Sequence, residues 1–298
     1  MTRRIIIDTD GGVDDALALL YALASPEAQI EAITTVHGNV PLATATRNVF
    51  ETLSVAGARD MTVAAGAAAP LAGAAITATH VHGEDGLGGW THSRPVPAQR
   101  LHEAPAPRLI GRLARRLPGE LTLVTLGPLT NVALASRQEP DGLRQLREIV
   151  VMGGAVTVPG NVTATAEYNI YADPLAAREV LRSGIPVVLV GLDVTMKVTL
   201  SRDAVSAARH SFLYCLCEQL FTFHRSRGRA EQFALHDPLA VGVALDRALV
   251  HTDTMKLDVT DSGETTRTAI GSQVHVALDV DAGRFLHRFS ERVLTRAD

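Results

Sequence analysis

Ile5-Ile6-Ile7 is the first apolar run of the chain, and no polar residue interrupts it. An unbroken run of this kind suits a strand buried on both faces, as in the middle of a parallel sheet. The pattern then changes. Ala16 to Leu23 reads as a helix, Ile30 to Val36 as a second strand, 43–56 as a helix and 61–65 as a short strand. Periodicity fades between Gly66 and Pro107, a stretch rich in Ala, Gly, Pro and His; loops this long in compact domains are often functional lids. Order returns with a helix over 108–117, a strand over 121–126, a helix after Asn131, a strand over 149–152 and a helix from Asp173-Pro174. Then come a strand over 186–190, helices over 201–209 and 211–226, and a helix opened by Asp237-Pro238. From Val250 the chain reads as short strands around a turn at 261–264, then a helix from 282. Such alternation predicts βαβ crossovers, hence an α/β fold with a central, mainly parallel sheet flanked by helices. No repeat or linker divides the chain, so one domain over 1–298 is expected.

At 298 residues and 46% hydrophobic, there is enough apolar material for a large core. A net charge of -4 without a basic stripe argues against nucleic acid and for small solutes. No apolar run reaches the roughly 18 residues of a membrane span, and the start of the chain lacks a leader pattern, so a cytoplasmic protein is expected. Cys215 and Cys217 stand one residue apart in an apolar stretch and read as reduced helix residues.

Polar residues recur at strand ends, where open α/β sheets bind ligands. Asp8, Asp10, Asp14 and Asp15 crowd the first of these ends around Gly11-Gly12. A turn with a helix cap explains one or two aspartates; four together point to a hard cation, Ca²⁺ or Mg²⁺, which the glycine pair would let the backbone approach. The spacing excludes an EF-hand loop. Other strand ends carry His37-Gly38-Asn39, Gly127-Pro128-Leu129-Thr130-Asn131 and Gly153-Gly154. Asn161, Glu167 and Asn169 suit sugar hydroxyls, though each alone is commonly a turn former. Trp90 offers a flat surface to a base, or else folds onto the core.

Two resemblances follow. Asp8-Thr9-Asp10-Gly11 is similar to haloacid-dehalogenase-type phosphotransferases, but only over Ile5 to Asp15, and Gly12 replaces the usual hydroxyl residue. The chain resembles the inosine–uridine nucleoside hydrolase family far more extensively. Asp8 to Ala16, Gly38-Asn39, Val81 to Leu87, Gly127 to Asn131, Ala166 to Pro174 and His236 to Ala240 match its motifs in order, with Gly11 where members more often carry Pro. That resemblance implies a Rossmann-like fold and a bound Ca²⁺ held by Asp10, Asp15, Asp237 and the Leu126 carbonyl. It further implies Asp10 as the base that activates a metal-held water, Asp14, Asn39, Asn161, Glu167 and Asn169 around the ribose, and His236 and His82 at the leaving base. The substrate would be a ribonucleoside, broad or pyrimidine-preferring. Base contacts are expected from Trp90 and Phe233, because the 224–233 loop carries His224, Gly228 and Arg229 where relatives have aromatics. Relatives imply a homodimer or homotetramer. A Mg²⁺ phosphohydrolase and a catalytically silent nucleoside binder are the other readings.

Overall fold

A computed structural model of the protein describes residues 2–93, 100–206, 211–228 and 230–295. Its eleven strands are β1 (Arg3–Thr9), β2 (Ala28–Thr35), β3 (Val63–Ala65), β4 (Leu121–Thr125), β5 (Glu148–Met152), β6 (Val187–Val190), β7 (Thr199–Ser201), β8 (Gln232–Ala234), β9 (Val250–Val259), β10 (Thr265–Arg267) and β11 (Ser272–Val280). Nine of them form one sheet in the order β10-β9-β11-β6-β5-β4-β1-β2-β3, and β7 pairs with β8 separately. From β3 through β6 to β11 the pairings are parallel; β9 and β10 add an antiparallel edge.

β1 lies between β4 and β2, and its isoleucines explain why. Ile5 and Ile7 pack with Leu17, Leu216 and Leu239 on one face, while Ile6 packs with Leu109, Ile110 and Val132 on the other. All three are fully buried, and each contributes about 1.5–3 kcal/mol of burial relative to exposure. The helices Val13–Leu23 and His236–Leu245 pack together on the Ile5 face and are apolar almost all round. Their N-termini therefore meet, fixed in dry surroundings, beyond the carboxyl end of β1.

The tail differs from expectation. β9 and β11 run for ten and nine residues and pair antiparallel over most of that length. Within the 66–107 stretch a short helix, Thr79–His82, and a 3₁₀ turn, Trp90–Ser93, break the loop, and the next helix begins at Ala106. Only Arg202–Val205 of the helix expected over 201–209 is helical among the described residues; 207–209 lie outside them. No described helix is long and apolar enough to cross a membrane.

Candidate active site

The turn after β1 is built around Asp15. As the third residue of the helix Val13–Leu23 it accepts from Gly12 N (2.8 Å) and Asp10 N (3.1 Å), from the Thr9 hydroxyl, and from Asn39 Nδ2 (3.2 Å). Helix N-termini favour such an anion. Asp10 is held by one residue: Asn39 donates to it from its backbone N (2.7 Å) and from Nδ2 (2.8 Å). Gly12 leaves room for two neighbouring side chains. A Cβ there would lie 2.6 Å from Asn39 Nδ2 and 2.9 Å from His82 Nδ1, so the glycine admits these side chains.

Asp14, Asp15 and Asp237 come together, each with a carboxylate oxygen within 4.8 Å of the others. Asp14 Oδ1 is buried without a hydrogen-bond partner among the described residues. Burial, followed by the charge of Asp15, pushes Asp14 up to about 7 and Asp10 well above the carboxylate range. Asp237 is raised by burial and then by Asp14, Asp15 and Asp10. Among the described residues, no Lys or Arg forms an ion pair with these groups. Buried carboxylates lacking a counter-charge fit a hard cation. The tight trio contains Asp14 where the family resemblance implies Asp10, which lies beside Asp15 in the Asn39 grip. The Leu126 carbonyl accepts from Asn169 Nδ2 (2.7 Å), which also donates to Met152 O (3.1 Å).

Glu167 caps the helix Tyr168–Ala172, accepting from Asn169 N (3.0 Å), Ile170 N (3.2 Å) and Gly154 N (2.9 Å). Burial raises it nevertheless. Asn161 is exposed, and its Oδ1 accepts from Tyr168 N (2.9 Å). Glu167, Asn169 and Asn161 are thus one cap and its neighbours, as the turn-forming expectation has it.

The two histidines are neutral at pH 7, since burial lowers both to about 4, with His224 and His82 adding to the effect at His236. His82 Nδ1 accepts from Val13 N (3.1 Å). That bond leaves the ring proton on Nε2, so the 3.7 Å approach of Nδ1 to Asp14 is not a charge-assisted pair. His236 Nδ1 meets the Thr195 hydroxyl at 2.8 Å, leaving Nε2 for a ligand.

The expected base contacts are placed differently. Trp90 packs on Phe212 with ring centroids 4.9 Å apart, following its core alternative. Phe233 is 1% exposed and packs on Phe221 at 5.0 Å, so it has no free face for a base. Phe223 instead is half-buried between His80 (6.1 Å) and His224 (5.4 Å), with the Arg227 guanidinium 3.9 Å over its ring. Arg229 lies outside the described residues.

Asp8 stands apart from the other aspartates. Its Oδ1 accepts from the Thr34 hydroxyl (2.6 Å) and Asn131 Nδ2 (2.8 Å), tying β1 to the turn after β4. It would be the nucleophile of a haloacid-dehalogenase-type site, yet it is fully buried and held from the side.

Comparison with known proteins gives the family of the chain. The family model for inosine-uridine preferring nucleoside hydrolases matches residues 5–287. The chain belongs to that family. Hydrolysis of ribonucleosides is accordingly its reaction class. A pyrimidine-specific ribonucleoside hydrolase, RihA of Salmonella typhimurium, is 36% identical over 98% of this chain and 99% of its own length. An uncharacterized Schizosaccharomyces pombe protein is 46% identical over 68% of this chain, a match that spans 65% of that relative's length. The solved structure of a plant nucleoside hydrolase superposes with a TM-score of 0.94 at 32% identity, covering 99% of this chain and 100% of that one. A purine-preferring ribonucleoside hydrolase from Gardnerella vaginalis gives 0.91 at 31%, covering 97% and 98%.

Some residues around this candidate site carry no signal that singled them out in the sequence. Thr195 orients His236 from 41 residues away and carries no local signal. Phe223 could have been found, since it follows Leu216 and Leu220 on the buried side of the helix Ser211–Ser226. Tyr168 sits inside a matching motif; its hydroxyl is buried without a partner among the described residues, and burial and then the charges of Asp10, Glu167 and Asp15 raise its pKa.

Proposed function

We propose that the chain is a metal-dependent ribohydrolase that cleaves the N-glycosidic bond of ribonucleosides, releasing ribose and free base, with Ca²⁺ as its metal and a broad or pyrimidine-leaning base preference. The convergence of Asp14, Asp15 and Asp237, buried without a counter-charge beside the Asp10–Asn39 pair, is the observation that carries this reading.

Asp15, Asp237, Asp10 and the Leu126 carbonyl would hold the cation, and Asp14 would bind the 2′ hydroxyl. When bound, Ca²⁺ supplies positive charge that fixes the ribose diol and acidifies a water. Asp10 takes the proton of the water that attacks C1′. Asn39, donating to both Asp10 oxygens, holds that carboxylate in place. As the C1′–N bond breaks, its electron pair goes to the base, and the ribosyl centre becomes oxocarbenium-like inside an anionic surround. His236, its Nδ1 engaged by Thr195, presents Nε2 to the departing base and acts as general acid in its doubly protonated form, taking a proton from solvent before the C1′–N bond breaks, while neutral His82 donates a hydrogen bond from Nε2 at the same end. Glu167, Asn169 and Asn161 take the 3′ and 5′ hydroxyls. Similarity to the pyrimidine-specific relative supports the pyrimidine lean, and Phe223 takes the place of Phe233 and Trp90 as the ring available to the base. A cytoplasmic homodimer or homotetramer completes the reading.

The test is release of reducing sugar from inosine, adenosine, guanosine, uridine, cytidine and their 2′-deoxy forms, before and after chelation, beside a generic phosphate ester. Ribose release that requires the 2′ hydroxyl and returns with Ca²⁺ is the expected result. Release insensitive to chelation would remove the metal from the mechanism, and silence throughout would leave a nucleoside binder.

A further inference from the structure

Resting on the ribohydrolase reading, we propose that Asn48 is a positioning residue that sets the leaving-group loop against the ribose-binding turn. Two separate segments must cooperate in this reaction: the acidic turn after β1, which handles sugar and water, and the loop carrying His82. Asn48 comes from neither. It lies in the helix Leu42–Val55 and is 1% exposed.

Both amide protons of Asn48 are spent on joining the two segments. Nδ2 donates to the Gly11 carbonyl at 2.8 Å and to the Asp85 carbonyl at 2.8 Å. Gly11 directly follows Asp10, and Asp85 lies three residues beyond His82, so one planar amide spans the general base and the leaving-group histidine. Arg47 Nη2 reinforces the joint, donating to the Asp85 carbonyl (3.2 Å) and to Asn48 Oδ1 (3.3 Å). A second bond between the same segments, Val13 N to His82 Nδ1, is made only when the loop sits at the right depth. The fit around the amide is close. Gly86 has φ +78°, and a Cβ there would lie 2.6 Å from Asn48 Nδ2 and 3.1 Å from Gly11 O.

The chemical consequence is selective. A natural base leaves with proton donation, so its cleavage needs the His82 end in register with the sugar. A nitrophenolate leaves unaided, so hydrolysis of p-nitrophenyl riboside needs only the sugar end. Misplacement by about 1 Å can slow a reaction roughly 100-fold.

Asn48→Ala and Gly86→Ala are compared with wild type in saturating Ca²⁺, using the ribonucleoside that wild type turns over fastest and p-nitrophenyl riboside. Each variant's melting temperature is recorded alongside. Expected is a fall in kcat of about 10–100-fold on the ribonucleoside and under about threefold on the aryl riboside. Gly86→Ala reaches the same joint from the loop side, so it answers the question even if Asn48→Ala does not fold. Equal slowing on both substrates, or none on either, overturns the positioning role while leaving the hydrolase reading intact. A wild type silent on every nucleoside overturns that reading, and this proposal with it.

Discussion

At the scale of single residues the site is organised by which polar atoms are already satisfied. Asp10 and Asp15 have their oxygens filled by Asn39 and by the turn backbone, whereas Tyr168 Oη is buried with no partner among the described residues. A buried donor left unmade costs about 1–3 kcal/mol, so the fold gains nothing from this hydroxyl. The charges of Asp10, Glu167 and Asp15 act on this hydroxyl, so it lies near the groups proposed for the ribose. Tyr168→Phe should therefore leave the melting temperature unchanged or higher. It should also lower kcat/KM roughly 3–10-fold, the worth of one neutral hydrogen bond. A melting temperature several degrees lower with unchanged kinetics would show that the hydroxyl serves the fold instead.

Among elements, the His82 loop has its own internal anchor. The Asp85 carboxylate accepts from Leu87 N (3.0 Å), Gly89 N (2.8 Å), Thr91 N (2.9 Å) and the Thr91 hydroxyl (2.8 Å). Burial pushes its pKa up, but these donors outweigh burial and hold it below 3.8. A depressed acid lends stability that is complete above its unfolded value and is lost as pH falls through the folded one. Loop order is thus expected to begin weakening only as pH falls below 3.8. Trp90, the one tryptophan of the chain, lies next to Thr91 against Phe212 and reports on it. Asp85→Asn, which weakens every one of these bonds, should red-shift Trp90 emission at pH 7 and destabilise the protein by about 2–3 kcal/mol. Unchanged emission in that variant would mean that apolar packing, not Asp85, seats the loop. The glycines and histidines around Asp85 advertised a special loop in the sequence. Its order was hidden, because the bonds are made by backbone groups that any residue supplies.

Over the whole molecule, the chain runs from β1 outward through β2 and β3, then returns to β4 on the other side of β1, which makes the end of β1 a topological switch point. The isoleucine run and the four aspartates made this end legible in the sequence, because strand burial and carboxylate crowding are local properties. Asn48, Thr195 and Asp237 are brought there only by packing, and Asp237 was visible solely because its motif is itself a matching block. The same convergence makes stability depend on the cation. In metal-free protein, burial raises Asp8 and Asp14 to about 7, and burial with neighbouring charge raises Asp10 and Asp237. An acid raised in the folded state adds stability below its unfolded value near 3.8, and that stability is lost as pH climbs through the folded value. Chelated protein should therefore lose melting temperature steadily between about pH 4.5 and 7.5. Protein at a fixed Ca²⁺ concentration, about 100 times its Kd at about pH 7.5, gains about 2.7 kcal/mol there and less at lower pH where protons compete, so it should hold more nearly level, because the cation replaces the protons. The gap between the two melting curves should widen as pH rises, and Asp14→Asn should flatten part of the slope in chelated protein. A gap that stays constant with pH would mean that the carboxylates are neutralised by something other than the cation.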